Sequence, residues 1–138
     1  MRMFCDASAM AKRYVEEPGS AELETLLKSA TTLGLSVISA TEVVSALCRR
    51  LREGNLSEHQ YAQARTALLA DMADAEIVTL SEPLLIRAIG LLEAHPLRSA
   101  DALQVASAQE WGADLLVSAD RRQCVAARSD GLPVRLLG

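Results

Sequence analysis

The stretch Met3-Phe4-Cys5-Asp6-Ala7-Ser8 decides how the rest of the chain is read. Met3, Phe4 and Cys5 form a short apolar run that stops at an acid, and Ser8-Ala9-Met10-Ala11-Lys12 then reads as a helix. A buried strand that ends on an acid and turns into a helix belongs to an α/β sheet, where ligands collect at the carboxyl ends of strands. Three later stretches set an acid in a comparable place: Glu42 in Ser39-Ala40-Thr41-Glu42, Asp101 in Ser99-Ala100-Asp101 and Asp120 in Ser118-Ala119-Asp120. The expectation is that these four carboxylates meet at one sheet edge and hold a divalent metal.

Working outward, helix and strand alternate. Ala7 to Val15 reads as a helix broken at Glu16-Glu17-Pro18-Gly19, and Ser20 caps a second one running to Ala30. A buried strand spans 33–39. A helix over 40–53 stops at Gly54, and after a short link Ser57-Glu58 opens a long helix to about Ala73, so the pair forms an antiparallel hairpin. The strand 76–80 precedes a helix capped by Ser81, with Pro83 in its first turn, that ends at His95-Pro96. Ser99 to Trp111 is helical, 115–117 a strand, 120–128 a helix and 134–137 an edge strand. This pattern predicts a three-layer α/β/α sandwich around a mainly parallel sheet of four or five strands.

The 138 residues suit a single domain over 1–138, and with half of them hydrophobic a globular core forms without staples. No apolar run approaches the ~20 residues of a membrane span and no targeting leader opens the chain, which predicts a cytoplasmic protein without membrane attachment. Cys5, Cys48 and Cys124 are odd in number and far apart, as expected of reduced thiols. With only His59 and His95 beside them, a zinc site is unfavourable. The net charge of −4 argues only weakly against nucleic acid, because an acidic pocket subtracts from a surface that can still be locally basic. Of the 14 basic residues all but Lys12 and Lys28 are arginines, whose forked guanidinium matches phosphate.

Each acid has a plainer explanation. Asp6 and Asp120 stand where helix caps stand, Ser39-x-x-Glu42 fits a capping box, and Asp101 in a first turn suits the helix dipole. Physics separates the two readings. Converged carboxylates repel by about 4 kcal/mol per pair at 4 Å and an effective dielectric of 20. Such a cluster persists with raised pKa values or with a cation between the acids. Hard oxygen ligands favour Mg²⁺ or Mn²⁺. Ser8 and Ser118, each two residues from an acid, are placed either to orient a carboxylate or to cap a helix.

Phe4 to Tyr14, followed by Glu17-Pro18-Gly19-Ser20, resembles the opening of PIN-domain ribonucleases, in particular the VapC toxins of toxin–antitoxin pairs. The stretch 39–47 resembles their second acidic motif, 97–106 the third, and 116–122 the fourth, with Ser118 where the family carries Ser or Thr. The likeness spans nearly the whole chain. Arg122-Gln123-Cys124 departs from it, since many relatives carry a bulky apolar residue there.

The resemblance implies a metal-dependent endoribonuclease that leaves a 5′-phosphate and a 3′-hydroxyl. Asp6, Asp101 and Asp120 are the implied Mg²⁺ or Mn²⁺ ligands, with Glu42 a further ligand or an orienting group. Rival classes are another metal-dependent phosphoesterase and a non-catalytic binding module. Phosphate contacts are expected from Lys12, Arg13, Arg98, Arg121 and Arg122, since aromatics at 3% make base stacking a poor main means of recognition. The implied partners are RNA, a small cognate antitoxin and a second copy of the chain. The apolar residues of the hairpin, among them Val43, Leu47, Leu68 and Leu69, are expected to leave a surface for them.

Overall fold

A computed structural model describes all residues, Met1–Gly138. The elements are β1 (Arg2–Cys5), α1 (Ala7–Tyr14), α2 (Ser20–Ser29), β2 (Thr32–Ser36), α3 (Ser39–Arg52), α4 (Glu58–Asp74), β3 (Glu76–Val78), α5 (Glu82–Ala94), α6 (Ser99–Trp111), β4 (Leu115–Ser118), α7 (Arg121–Ser129) and β5 (Val134–Leu136). The five strands form one sheet in the order β3-β2-β1-β4-β5, and every pairing is parallel. An all-parallel sheet must be covered on both faces, and it is.

The apolar run at the start shows why. Side chains alternate across a strand, so Met3 and Cys5 enter one core while Phe4 enters the other. On the first face Leu35 and Val117 join them beneath α1, α2 and the α3–α4 hairpin, through Met10, Leu23, Val43, Leu47 and Leu68. On the second, Leu116 packs under Leu84 and Leu91 of α5, Val105 of α6 and Ala126 of α7. Gly34 of β2 lets Trp111 close this layer, since a Cβ there would stand 2.8 Å from the indole ring. The guanidinium of Arg2 lies 3.9 Å from the same ring.

Three expectations are corrected. The second strand stops at Ser36, not Ser39: the Ser36 hydroxyl accepts the Ile38 N–H at 3.2 Å and turns the chain into α3. Ile38 is then the N-cap, so Ser39 and Glu42 form no capping box, and Glu42 is free for another partner. The hairpin also spends its apolar face internally. Val43, Leu47 and Leu68 are fully buried and Val44, Tyr61 and Met72 pack against them, because α1 packs against α3 and α4 and completes the layer. Leu69 remains exposed there, whereas α5 presents Leu85, Ile86, Ile89 and Leu92 to solvent.

Chain order places the functional edge. From β1 the chain builds outward through β2 and β3, then crosses back to lay β4 on the other side of β1. The switch point therefore lies between the carboxyl ends of β1 and β4, where open parallel sheets leave a crevice. Asp6 directly follows β1, and Asp120 stands two residues beyond β4.

Candidate active site

Asp6 is wholly buried yet surrounded by donors. As N-cap of α1 it accepts the Ala9 N–H at 2.9 Å on Oδ1. Ser8 Oγ lies 2.8 Å from both carboxylate oxygens, and Ser118 Oγ donates to Oδ2 at 2.7 Å. Each serine also ties Asp6 to the chain entering α7, for Ser8 Oγ accepts the Ala119 N–H and Ser118 Oγ the Asp120 N–H, both at 2.9 Å. Burial outweighs these hydrogen bonds and, with the nearby Asp120 charge, raises the Asp6 pKa to about 6.

Asp120 caps α7, accepting the N–H groups of Arg122 at 2.9 Å and Gln123 at 3.4 Å on Oδ1. The Gln123 side chain continues the path: its Nε2 donates to Asp101 Oδ1 at 3.2 Å, while Asp101 Oδ2 accepts the Arg98 N–H at 3.1 Å. One turn along α6 from Asp101, Gln104 Nε2 donates to Glu42 Oε1 at 2.6 Å and to Ser39 Oγ at 3.2 Å. Burial raises the Glu42 pKa, and the Asp101 charge adds to the rise. The four acids thus lie along one connected path at the sheet edge: Asp6, Ser118, Asp120, Gln123, Asp101, then Gln104 and Glu42.

Sequence reasoning missed Gln104 and Gln123. Both are buried, and in both Oε1 has no hydrogen-bond partner. A buried unsatisfied carbonyl costs roughly 1–3 kcal/mol, and an ionised carboxylate accepts only, so the amide nitrogen must face it. The signal was present as a repeat, Asp101-x-x-Gln104 and Asp120-x-x-Gln123, in which each amide follows an acid by about one helical turn. Gln123, within the stretch Arg122-Gln123-Cys124 that departs from the resemblance, is the residue that makes this contact to Asp101.

No acid of this path enters any of the chain's ion pairs. Nor do three His, Cys, Asp or Glu side chains close on a common point, which corrects the expectation that all four acids meet: Asp6 feels the Asp120 charge and Glu42 the Asp101 charge, in two pairs along the edge. Each carboxylate rests on neutral donors instead. Four unneutralised hard-oxygen donors, steadied by hydroxyls and amides, suit Mg²⁺ or Mn²⁺ and not a thiophilic metal.

The basic residues divide sharply. Lys12 is buried, with Nζ 3.2 Å from Glu17 Oε1 and 2.7 Å from the Pro18 carbonyl oxygen. Arg13 pairs with Asp71 at 2.8 Å and with Glu24 at 3.2 Å. Both were expected to contact phosphate. Their charges are instead consumed in fixing α1 to the following loop, to α2 and to α4. Arg98, Arg121 and Arg122 are exposed and form no ion pair.

Acids at the switch point of a five-stranded parallel sheet define a class, and comparison with known proteins gives it a name. The PIN domain profile matches residues 3–129, and the chain belongs to the PIN-domain family. Within that family it is 33% identical over 134 residues to Ribonuclease VapC45 of Mycobacterium tuberculosis, covering 96% of this chain and 93% of that one. Ribonuclease VapC46 of the same species is 32% identical over 134 residues, covering 96% and 95%. Among solved structures, VapC20 of Mycobacterium tuberculosis, described as a sarcin–ricin loop cleaving toxin, superposes with a TM-score of 0.72 at 17% identity over 99% of both chains. A toxin–antitoxin complex from Klebsiella pneumoniae gives 0.68 at 19% identity, over 96% of this chain and 95% of that one.

Proposed function

We propose that this chain is a metal-dependent endoribonuclease, the toxin of a toxin–antitoxin pair, which hydrolyses RNA phosphodiesters to 5′-phosphate and 3′-hydroxyl ends. The observation that carries the reading is the path of four acids without a cationic partner at the switch point, in a chain of the PIN-domain family. Its VapC relatives are named ribonucleases, and structures of the same fold include toxin–antitoxin complexes, which supports the biological role.

Asp6, Asp101 and Asp120 would hold Mg²⁺ or Mn²⁺, with Glu42 a further ligand or an orienting group. When bound, the ion supplies positive charge to a phosphate oxygen and makes a water acidic enough to act near neutral pH. The chain's own residues prepare that chemistry. Ser8 and Ser118 fix both oxygens of Asp6 and lock it against the loop carrying Asp120. Gln123 holds Asp101 relative to Asp120, and Gln104 holds Glu42 relative to Asp101. Gln104 occupies only Oε1 of Glu42, which leaves Oε2 for the ligand or orienting role.

The expected second copy fits α5 better than the hairpin, because Leu85, Ile86, Ile89 and Leu92 form an exposed apolar stripe. An RNA digest with Mg²⁺ or Mn²⁺, followed by mapping of the fragment ends, tests the reaction. Fragments ligatable at their 5′ ends support it, and 2′,3′-cyclic phosphates overturn it.

A further inference from the structure

A pocket of about 210 Å³ opens between the loop after α5 and the first half of α7, lined by His95, Pro96, Arg121, Arg122 and Val125. We propose that it receives the base of the RNA nucleotide adjoining the scissile phosphate, with Arg121 and Arg122 holding the phosphates on either side. The inference rests on the nuclease reading above and adds to it a determinant of sequence preference.

Its chemistry is that of a base site. Pro96 forms one apolar wall. Val125, in the middle of α7, forms another and is 53% exposed with no helix laid over it. The side chains of Arg121 and Arg122 complete the lining. A base needs flat apolar surface for its faces and a cationic rim for its phosphates, and arginine serves both needs because its plane stacks as well as pairs. The volume lies below the ~300–1,000 Å³ of sites that enclose a whole small molecule, which suits one planar ring. Such a base must leave its stack, so the strand is unpaired there.

Charge and position agree. No acid lines the pocket, and neither arginine nor His95 enters an ion pair, unlike Lys12, Arg13 and Arg50 on the opposite face. An edge carrying four carboxylates repels a phosphodiester, so the strand needs cations on its flank to approach. Arg121 directly follows Asp120, and the Arg122 N–H is bonded to that acid at 2.9 Å. The opposite wall, His95-Pro96, leads through Arg98 into Asp101. One wall is the first half of α7, which Asp120 caps, and the other is the loop from α5 that runs into the α6 turn carrying Asp101, so the pocket adjoins two site acids in the chain.

The test uses a short single-stranded RNA containing a mapped cut, and a series with an abasic nucleotide at each nearby position. For the wild-type protein, removal of one adjoining base should lower kcat/KM about tenfold, as stacking of a single base implies. Val125→Ser and His95→Ala, both changes at accessible positions, should each cleave the intact RNA more slowly at an unchanged melting temperature. In them removal of that base should change the rate less than about twofold. The pocket assignment is overturned if the wild type ignores every adjoining base, or if both variants keep the full dependence. If the wild type cleaves no RNA in Mg²⁺ or Mn²⁺, the nuclease reading falls and the pocket with it. Cleavage without base dependence removes the pocket alone.

Discussion

Gln123 Nε2 reaches across from α7 to Asp101 Oδ1 at 3.2 Å, while the backbone of the same glutamine donates to Asp120. One residue thus sets the separation of two acids that come from different helices. Side chains that orient metal ligands typically change affinity 10- to 100-fold when removed. Gln123→Leu keeps the buried volume and deletes the contact. It should raise the Mn²⁺ concentration giving half-maximal cleavage by roughly tenfold or more, with a modest effect on the rate at saturating metal. An unchanged metal titration would reduce Gln123 to a packing residue.

Much of this arrangement was legible in the sequence. The apolar run into Asp6, and acids at three further strand or helix starts, placed the sheet edge and its carboxylates because helix and strand periodicities are local. Burial on both faces was likewise written in Met3-Phe4-Cys5. What was not legible depends on distant neighbours. Nothing near Lys12 announces that Glu17 and the Pro18 carbonyl will consume its ammonium. Nothing in the hairpin shows that α1 will complete its layer, or that the spare apolar face lies on α5. The reach of Gln104 to Glu42, from α6 to α3, is a tertiary contact whose only local trace is the repeated Asp-x-x-Gln spacing.

Titration of Asp6 predicts an unusual pH dependence. Its pKa rises from 3.8 to about 6 on folding, so between those values the folded state holds a proton that the unfolded chain has lost. The associated stability is fully present below pH 3.8 and is lost as pH climbs through about 6. At about 1.4 kcal/mol per unit, this fully buried group contributes of the order of 3 kcal/mol. In metal-free buffer the melting temperature of the wild type should fall from pH 4 to pH 7 by roughly 10 °C more than that of Asp6→Asn. Parallel pH profiles for the two proteins would contradict the raised pKa.

Metal should reverse that loss. A cation bound by the folded state alone stabilises it, by about 2.7 kcal/mol at a hundredfold excess over its Kd. Millimolar Mg²⁺ or Mn²⁺ at pH 7.5 should raise the melting temperature of the wild type by several degrees, and Asp120→Asn should blunt the rise. An identical metal response in the variant would remove Asp120 from the ligand set.

The α5 stripe makes a separate prediction about assembly. Ile86 and Ile89 are 61% and 57% exposed, so placing a charge there costs the isolated fold little but burdens an interface with an unpaired ion. Light scattering at tens of micromolar should show a dimer for the wild type and a monomer for Ile86→Glu/Ile89→Glu. Leu69→Glu, on the hairpin, should leave the dimer intact. A monomeric wild type would refute the assignment.

If the acids act together on RNA through a divalent metal, cleavage of one labelled RNA reveals it most directly. The wild type should cut with Mg²⁺ or Mn²⁺ and stop when chelator is added. Asp101→Asn, folded to the same melting temperature within a few degrees, should lose at least about a hundredfold in rate, because a metal supplies several kcal/mol of transition-state stabilisation. Cleavage that persists in chelator, or an Asp101→Asn protein that cuts like the wild type, would contradict metal-dependent cleavage by these acids.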